Sequence, residues 1–113
     1  MPYVSIHSAM PISDEKKDAL QKEIGKLITI IPGKTIDNCM TKIEGGCSMF
    51  MSGAPAKAVF CEVRLRGAAP KESKKQLVGE LYQLFTRELD AQKVYTNFLE
   101  FNEWGNADNY MEA

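Results

Sequence analysis

The sequence predicts an α+β fold built from a duplicated β-α-β unit, in which a four-stranded sheet carries two helices on one face. Two patterns support this prediction. Apolar residues alternate with polar ones in short segments, as in strands buried on one face, and recur every three or four residues in two longer segments, as in amphipathic helices. The order strand, helix, strand occurs twice in the 113 residues, so we expect one domain over 1–113 with pseudo-repeats at about 2–50 and 58–104.

The first unit opens with an alternating strand over residues 2–7. Ser13 is a suitable cap for the helix that follows, and acidic residues in the first turn complement the helix dipole. The helix is expected to end at Pro32-Gly33. Alternation over residues 38–44 then predicts the second strand. The apolar residues of the helix share one face: Leu20, Ile24, Leu27, Ile28 and Ile31.

The second unit repeats this order, with a strand at 58–66, a helix after Pro70 and a last strand at 94–101. A polar tail with Trp104 and Tyr110 follows. At an offset of 58 residues, apolar positions of the first helix correspond to apolar positions of the second. The expected apolar residues of the second helix are Leu77, Val78, Leu81, Tyr82, Leu84, Phe85 and Leu89.

The connections determine how the strands pair. A helix that joins two strands is a crossover, so each unit is expected to contain a parallel strand pair with a right-handed connection. Both helices then cover the sheet face that carries Cys61 and Val63, and the opposite face, with Phe60, Glu62 and Arg64, meets water or another subunit. Because that face and the sheet edges are uncovered, we expect a closed homo-oligomer.

Composition excludes several classes of protein. Fourteen basic and fifteen acidic residues give a net charge of -1 without a basic stripe, so no nucleic-acid partner is expected. No signal peptide and no apolar run long enough to span a membrane are recognised. Three widely spaced cysteines (Cys39, Cys47, Cys61) indicate reduced thiols, and we expect a cytoplasmic protein without a membrane partner.

Pro2 is the candidate catalytic residue. If Met1 is removed, Pro2 presents a secondary amine, which can act as nucleophile or general base near neutral pH. An ordinary α-amino group has a pKa of about 7.7 to 8.0, and an apolar pocket lowers that pKa because low dielectric disfavours the charged form. Such an amine can take a proton from carbon.

Three short motifs accompany the duplicated unit: Met1-Pro2, Pro32-Gly33-Lys34 and Val94-Tyr95-x-Asn97-Phe98. In this order they resemble the tautomerase superfamily, specifically the family of macrophage migration inhibitory factor. The resemblance implies the tautomerase fold and a homotrimer with three active sites between subunits. It also implies keto-enol tautomerisation of a small keto or enol acid of the phenylpyruvate type, without a metal or an organic cofactor.

The resemblance also implies roles for individual residues. Pro2 resembles the catalytic proline that moves a proton between carbon and oxygen, and Lys34 resembles the lysine that holds a carboxylate or carbonyl oxygen. Tyr95 and Asn97 match residues that reach the pocket from the neighbouring subunit. Hydrogen-bond donors of these kinds stabilise a developing enolate.

Leu65 and Arg66 are expected to bind substrate at the end of the third strand, where both residues differ from the family pattern. Arg66 is a candidate to grip a substrate carboxylate through two parallel hydrogen bonds, and the alternative is an ion pair with Glu62 or Glu44. Trp104 and Tyr110 belong either to the pocket wall or to a subunit contact. His7, the single histidine, is expected to have a structural or surface role.

Two other functions remain open at this point. One is a cytokine-like trimeric binding protein with a vestigial pocket, a protein receptor as partner and release without a signal peptide. The other is a dehalogenase or decarboxylase of the same superfamily. The last alternative requires a water-activating acid in the pocket, and Glu62, Glu100 and Glu103 are the candidates.

Overall fold

A computed structural model describes residues 2–112 and contains the α+β arrangement that the sequence predicts. Two helices pack against one face of a four-stranded mixed sheet. The helices are α1 (Asp14–Leu27) and α2 (Lys71–Leu89). The strands of the main sheet are β1 (Tyr3–Ser8), β2 (Met40–Glu44), β5 (Ala58–Arg66) and β6 (Lys93–Phe101). Two short hairpins are formed by β3 (Phe50–Met51) with β4 (Ala54–Pro55) and by β7 (Glu103–Gly105) with β8 (Tyr110–Glu112).

The sheet has the strand order β2-β1-β5-β6. Each crossover joins a parallel pair, β1 with β2 and β5 with β6, as predicted, and the two units meet through the antiparallel pair of β1 and β5. In this register Tyr3 lies opposite Arg64, and Arg64 lies opposite Leu99 on the next strand. The beginning of β1 therefore lies beside the ends of β5 and β6.

The hydrophobic core lies between the sheet and the helices. Inward-facing strand residues such as Ile6, Val63 and Leu65 are fully buried against helix residues such as Leu20 and Phe85. Strand side chains alternate between the two faces of the sheet, and both helices pack on the same face. Within the described chain, the other face therefore has no covering layer. Burial also raises the pKa of the Cys61 thiol to about 12, so this cysteine is an inert core residue.

Helix α1 begins as predicted, because Ser13 Oγ accepts a hydrogen bond from the Lys16 N–H at 3.1 Å. It ends earlier than predicted, at Leu27, and continues as a single 3₁₀ turn over Ile28–Ile30. The chain then reverses at Pro32-Gly33. The Lys34 N–H donates to the Ile31 carbonyl at 3.1 Å, and Gly33 has a φ of 79°, which is the arrangement of a type II turn.

The internal repeat is confirmed in its order of elements but has a different offset. Burial matches Leu20 with Leu77 and Ile24 with Leu81, a spacing of 57 residues instead of 58. Tyr82, which the offset of 58 pairs with buried Ile24, is 50% exposed. A spacing of 57 also preserves the inward face of the strands, whereas a shift by one residue places every strand side chain on the other face.

The tail after β6 is more ordered than the sequence indicates. It folds back as the hairpin β7–β8, in which Trp104 pairs with Met111. Neither α1 nor α2, the helices of the part of the chain described, has the length and apolar character needed to cross a membrane.

Candidate functional site

An open cavity of about 520 Å³ lies at the end of the sheet where β1 begins and β6 ends. Four strands and the tail hairpin contribute to it, so its wall comes from both repeats. Its lining is largely aromatic and aliphatic, with one arginine and one glutamate. The lining residues are Pro2, Tyr3, Met40, Arg64, Phe101, Glu103, Trp104, Gly105 and Asn106.

Pro2 is buried and forms part of the cavity wall. Its carbonyl accepts a hydrogen bond from the Met40 N–H at 3.0 Å, which holds the start of β1 against β2. Continuing the β1–β5 register by one position places Pro2 beside the backbone of Leu65. Met1, whose removal the sequence analysis expects, lies outside the described residues.

Arg64 is the cation that lines the cavity, and the sequence pattern does not predict this role. Its guanidinium carbon lies 5.9 Å from the centre of the Tyr3 ring, and an amino nitrogen lies 3.5 Å from a carboxylate oxygen of Glu62. Within residues 2–112, its Nε is buried without a hydrogen-bond partner. The strand register is the signal that identifies Arg64, because it sets Arg64 directly opposite Tyr3, next to Pro2.

Lys34 reaches the same end of the sheet. Its Nζ donates a hydrogen bond to the Arg66 carbonyl at 3.2 Å, and the type II turn sets the direction from which the side chain approaches. Lys34 is half-buried. Its ammonium group therefore lies at the end of β5, one residue beyond Leu65, which is the strand position beside Pro2.

The structure corrects two expectations about the end of β5. The sequence predicts a substrate-binding role for Leu65, but its side chain is 0% exposed in the core, because it lies on the helix-covered face of the sheet. Arg66 was given Glu62 or Glu44 as its alternative partner. Glu62 instead pairs with Arg64, and Glu44 pairs with Lys42. Among the described residues, Arg66 Nε is buried without a partner.

Tyr95 and Asn97 lie on the uncovered face of the sheet, away from Pro2. Tyr95 is paired with Phe60, whereas the strand position level with Tyr3 is Leu99. Along β6, Tyr95 is four residues from Leu99 and Asn97 is two, which corresponds to about 13 Å and about 7 Å, and β5 lies between β6 and β1. Both side chains are exposed, and the Tyr95 hydroxyl contacts the sulfur of Met51 at 3.8 Å. One chain therefore does not bring them to its own Pro2.

The tail hairpin supplies part of the cavity wall. The rings of Phe101 and Trp104 are 6.2 Å apart with an angle of 58° between their planes. Tyr110 does not line the cavity, and its hydroxyl donates to the carboxylate of Glu103, which does. This bond raises the pKa of Tyr110. Glu103 is thus the acid in this cavity.

The other candidate acids lie elsewhere. The carboxylate of Glu100 accepts hydrogen bonds from the Ala69 N–H at 2.6 Å and from Lys74 at 3.1 Å. Glu62 belongs to the sheet face beside Arg64. The cavity thus combines a buried proline, a guanidinium, a carboxylate and an aromatic wall, which suits a small acid with an apolar substituent.

Comparisons with known proteins bear on the family and the fold of the chain. The sequence profile of the family described as macrophage migration inhibitory factor matches residues 1–109. A macrophage migration inhibitory factor of Leishmania major has a similar structure, with a TM-score of 0.89, 18% identity, and coverage of 98% of this chain and 97% of that chain. A macrophage migration inhibitory factor-like protein of Entamoeba histolytica has a TM-score of 0.85 and 22% identity, with coverage of 97% and 98%.

A more distant similarity is to N1, a member of the cis-3-chloroacrylic acid dehalogenase family. The TM-score is 0.79 at 13% identity, with coverage of 98% of this chain and 83% of that chain. At these identities the structures show a common fold. No curated protein sequence matches the chain.

Proposed function

Because the chain belongs to the macrophage migration inhibitory factor family, we propose that it is a tautomerase that interconverts the keto and enol forms of phenylpyruvate-like acids. The proposed base is the secondary amine that Pro2 presents once Met1 is removed. The cavity at Pro2 carries this proposal, because it joins a buried proline to a cation and an aromatic wall. No metal or organic cofactor takes part in the proposed reaction.

The proposed chemistry is a proton transfer. The Pro2 nitrogen takes a proton from the carbon next to the keto group, so that the C–H bond breaks, an N–H bond forms and the electron pair moves onto the carbonyl oxygen. The Lys34 ammonium stabilises that oxygen while it is negative. Protonated Pro2 then returns the proton to the oxygen, which yields the enol and restores the base.

Substrate binding is proposed to use the guanidinium groups of β5. Arg64 binds the carboxylate in a bidentate manner, and Arg66 adds a second positive charge at the end of the strand. The aromatic substituent packs against Phe101 and Trp104. Arg64 is suited to this role because its Nε lacks a partner in the described chain and its contact with Glu62 is a loose 3.5 Å.

Tyr95 and Asn97 are proposed to complete the site of a neighbouring subunit in a homotrimer. Their exposed position on the uncovered sheet face supports this, since β5 lies between their strand and the strand that begins beside Pro2. A closed ring of three subunits would cover that face. It would also bring Tyr95 and Asn97 of one subunit to Pro2 of the next.

Ketonisation of enol-phenylpyruvate, followed by ultraviolet absorption, tests the proposal. Protein whose mass confirms the loss of Met1 is expected to be active, and Pro2→Gly is expected to lose about 10²- to 10⁴-fold in rate, the usual contribution of a general base. Pro11→Ala is the matched control, since Pro11 does not line this cavity. An undiminished rate in Pro2→Gly would remove the proposed base.

One observation favours hydrolytic dehalogenation as a second candidate. Glu103 lines the cavity together with Pro2 and Arg64, so a carboxylate that can activate water is present. In that reaction protonated Pro2 acts as an acid and Arg64 holds the substrate carboxylate. Halide release from 3-chloroacrylate by the wild type, abolished in Glu103→Gln, would support this candidate. A wild type that releases no halide, or halide release that is undiminished in Glu103→Gln, would exclude it.

A further inference from the structure

A second cluster of reactive side chains lies at the other end of β1, outside the cavity. His7 on β1 and Glu44 on β2 are direct register partners, and Cys47 follows the turn at Gly45-Gly46. The imidazole nitrogen, the carboxylate oxygen and the thiol sulfur all lie within 4.8 Å of one another. We propose that His7, Glu44 and Cys47 bind one divalent transition-metal ion of the zinc type.

The geometry is close to what a tetrahedral ion requires. Zinc bonds of about 2.0 to 2.3 Å place neighbouring ligand atoms about 3.4 to 3.7 Å apart. The three donor atoms lie within 4.8 Å of one another, so each pair needs to approach by at most about 1.4 Å. The backbone at Gly46 and Cys47 is held by hydrogen bonds. The Cys47 N–H donates to the Ser8 carbonyl at 2.9 Å, and the Gly46 N–H donates to the Met10 carbonyl at 3.0 Å.

The chemistry of the donors selects the metal. Imidazole, thiolate and carboxylate are the ligands of zinc and its neighbours, whereas magnesium and calcium require oxygen ligands. On binding, the Cys47 thiol loses its proton to water, and a water molecule takes the fourth position. The Ser5 hydroxyl lies 3.1 Å from His7 Nε2 and supplies a contact that orients the ring.

Lys42 is the competitor for this site. Its ammonium lies 2.6 Å from a carboxylate oxygen of Glu44, and Lys17 is a second cation whose field acts on Glu44. A bound ion has to displace Lys42 from Glu44. Removal of the competing charge in Lys42→Met is therefore expected to tighten metal binding.

The cluster is separate from the proposed catalytic chemistry. His7 lies four strand residues from Tyr3, which corresponds to about 13 Å. The ion would join β1, β2 and the turn after β2, so its expected effect is to stabilise the sheet edge.

Titration of the full chain with Co²⁺ tests the proposal. A thiolate-to-cobalt charge-transfer band, reversed by Zn²⁺, is expected in the wild type and absent in Cys47→Ser, and His7→Gln should weaken binding at least about tenfold. Cys39→Ser is the matched control and should keep the band. Zn²⁺ should raise the melting temperature of the wild type but not that of Cys47→Ser.

The outcomes are decisive in both directions. A wild type without the thiolate band, an unchanged band in Cys47→Ser, or a band lost in Cys39→Ser overturns the proposal. Melting curves without metal show whether each variant is folded, and Lys42→Met keeps all three ligands. Failure of Lys42→Met to bind Co²⁺ would therefore also reject the site.

Discussion

Arg64 has unused hydrogen-bonding capacity next to Pro2. Its Nε is buried without a partner in the described chain, and a buried donor that makes no hydrogen bond costs free energy. A carboxylate ligand would remove this cost and gain a charge-assisted bond. Tyr3, whose ring lies 5.9 Å from the guanidinium, keeps the group over the cavity.

We therefore expect Arg64→Met to raise the KM for a keto acid about 10- to 100-fold. This is the loss of affinity that corresponds to the free energy of one hydrogen bond to a charged group. The rate constant kcat should change less, because the proton transfer uses Pro2 and Lys34. Steady-state kinetics of Arg64→Met and Arg66→Met, measured side by side, check this. A larger effect of Arg66→Met on KM would assign the main carboxylate contact to Arg66.

Glu100 links two elements, the last strand and the start of α2. The Ala69 N–H, and after it the Lys74 ammonium, hold the pKa of Glu100 below its ordinary value. A carboxyl with a lowered pKa in the folded state contributes stability above its unfolded pKa, and that contribution is lost as the pH falls through the folded pKa.

Glu100→Gln should therefore lower the free energy of unfolding at pH 7, and the difference from the wild type should shrink as the pH falls below about 4.3. Urea denaturation at neutral and acid pH measures this. Glu80→Gln on α2 is the control for the loss of one negative charge. A difference that is independent of pH would show that the contacts of Glu100 are not electrostatic.

Gly45 and Gly79 differ in how much space surrounds them. A Cβ atom at Gly45 would lie 2.7 Å from the backbone nitrogen of Ile12, whereas one at Gly79, in the middle of α2, meets nothing within 4 Å. Gly45→Ala is expected to destabilise the protein by about 1 to 3 kcal/mol. Gly79→Ala is expected to stabilise it by about 0.5 to 1 kcal/mol. Chemical denaturation of both variants measures the two effects, and equal effects would contradict this packing.

The whole molecule leaves one sheet face uncovered, and several large apolar side chains are exposed on it. Met40, Tyr95 and Leu99 are 65%, 48% and 42% exposed on this face, and Phe50 nearby in sequence is 68% exposed. Large exposed apolar side chains on an uncovered sheet face are consistent with an interface. The proposed homotrimer would cover it and would pair each Pro2 with Asn97 of another subunit.

Mixing of subunits tests that arrangement. Pro2→Gly and Asn97→Ala trimers are each expected to be nearly inactive. Denatured and refolded together in equal amounts, they should regain about a quarter of the wild-type rate, because every mixed ring of three contains one intact site. Separately refolded variants are the control. If mixing restores nothing, Asn97 does not act on the Pro2 of a neighbour.

Much of the fold was predictable because burial imposes local periodicity. The alternation in β5 and the three- and four-residue spacing in α1 identify inward faces without knowledge of neighbours. The candidate site was predictable only in part, since Pro2 followed from the chemistry of an N-terminal secondary amine but Lys34 rested on a resemblance. Arg64 was not predicted, and Glu103 was one of three candidate acids, because the place of both residues in the cavity depends on strand register and on the fold of the tail.

The sequence by itself determined the order of the elements, the repeated unit and the buried face of each strand, because each of these depends on residues that are close along the chain. The tertiary structure alone decided which distant side chains meet. The pairing of β1 with β5 sets Arg64 beside Pro2, and the pairing of β1 with β2 sets His7 beside Glu44. A register shift of one residue would break both pairs, and register is a property of the assembled sheet.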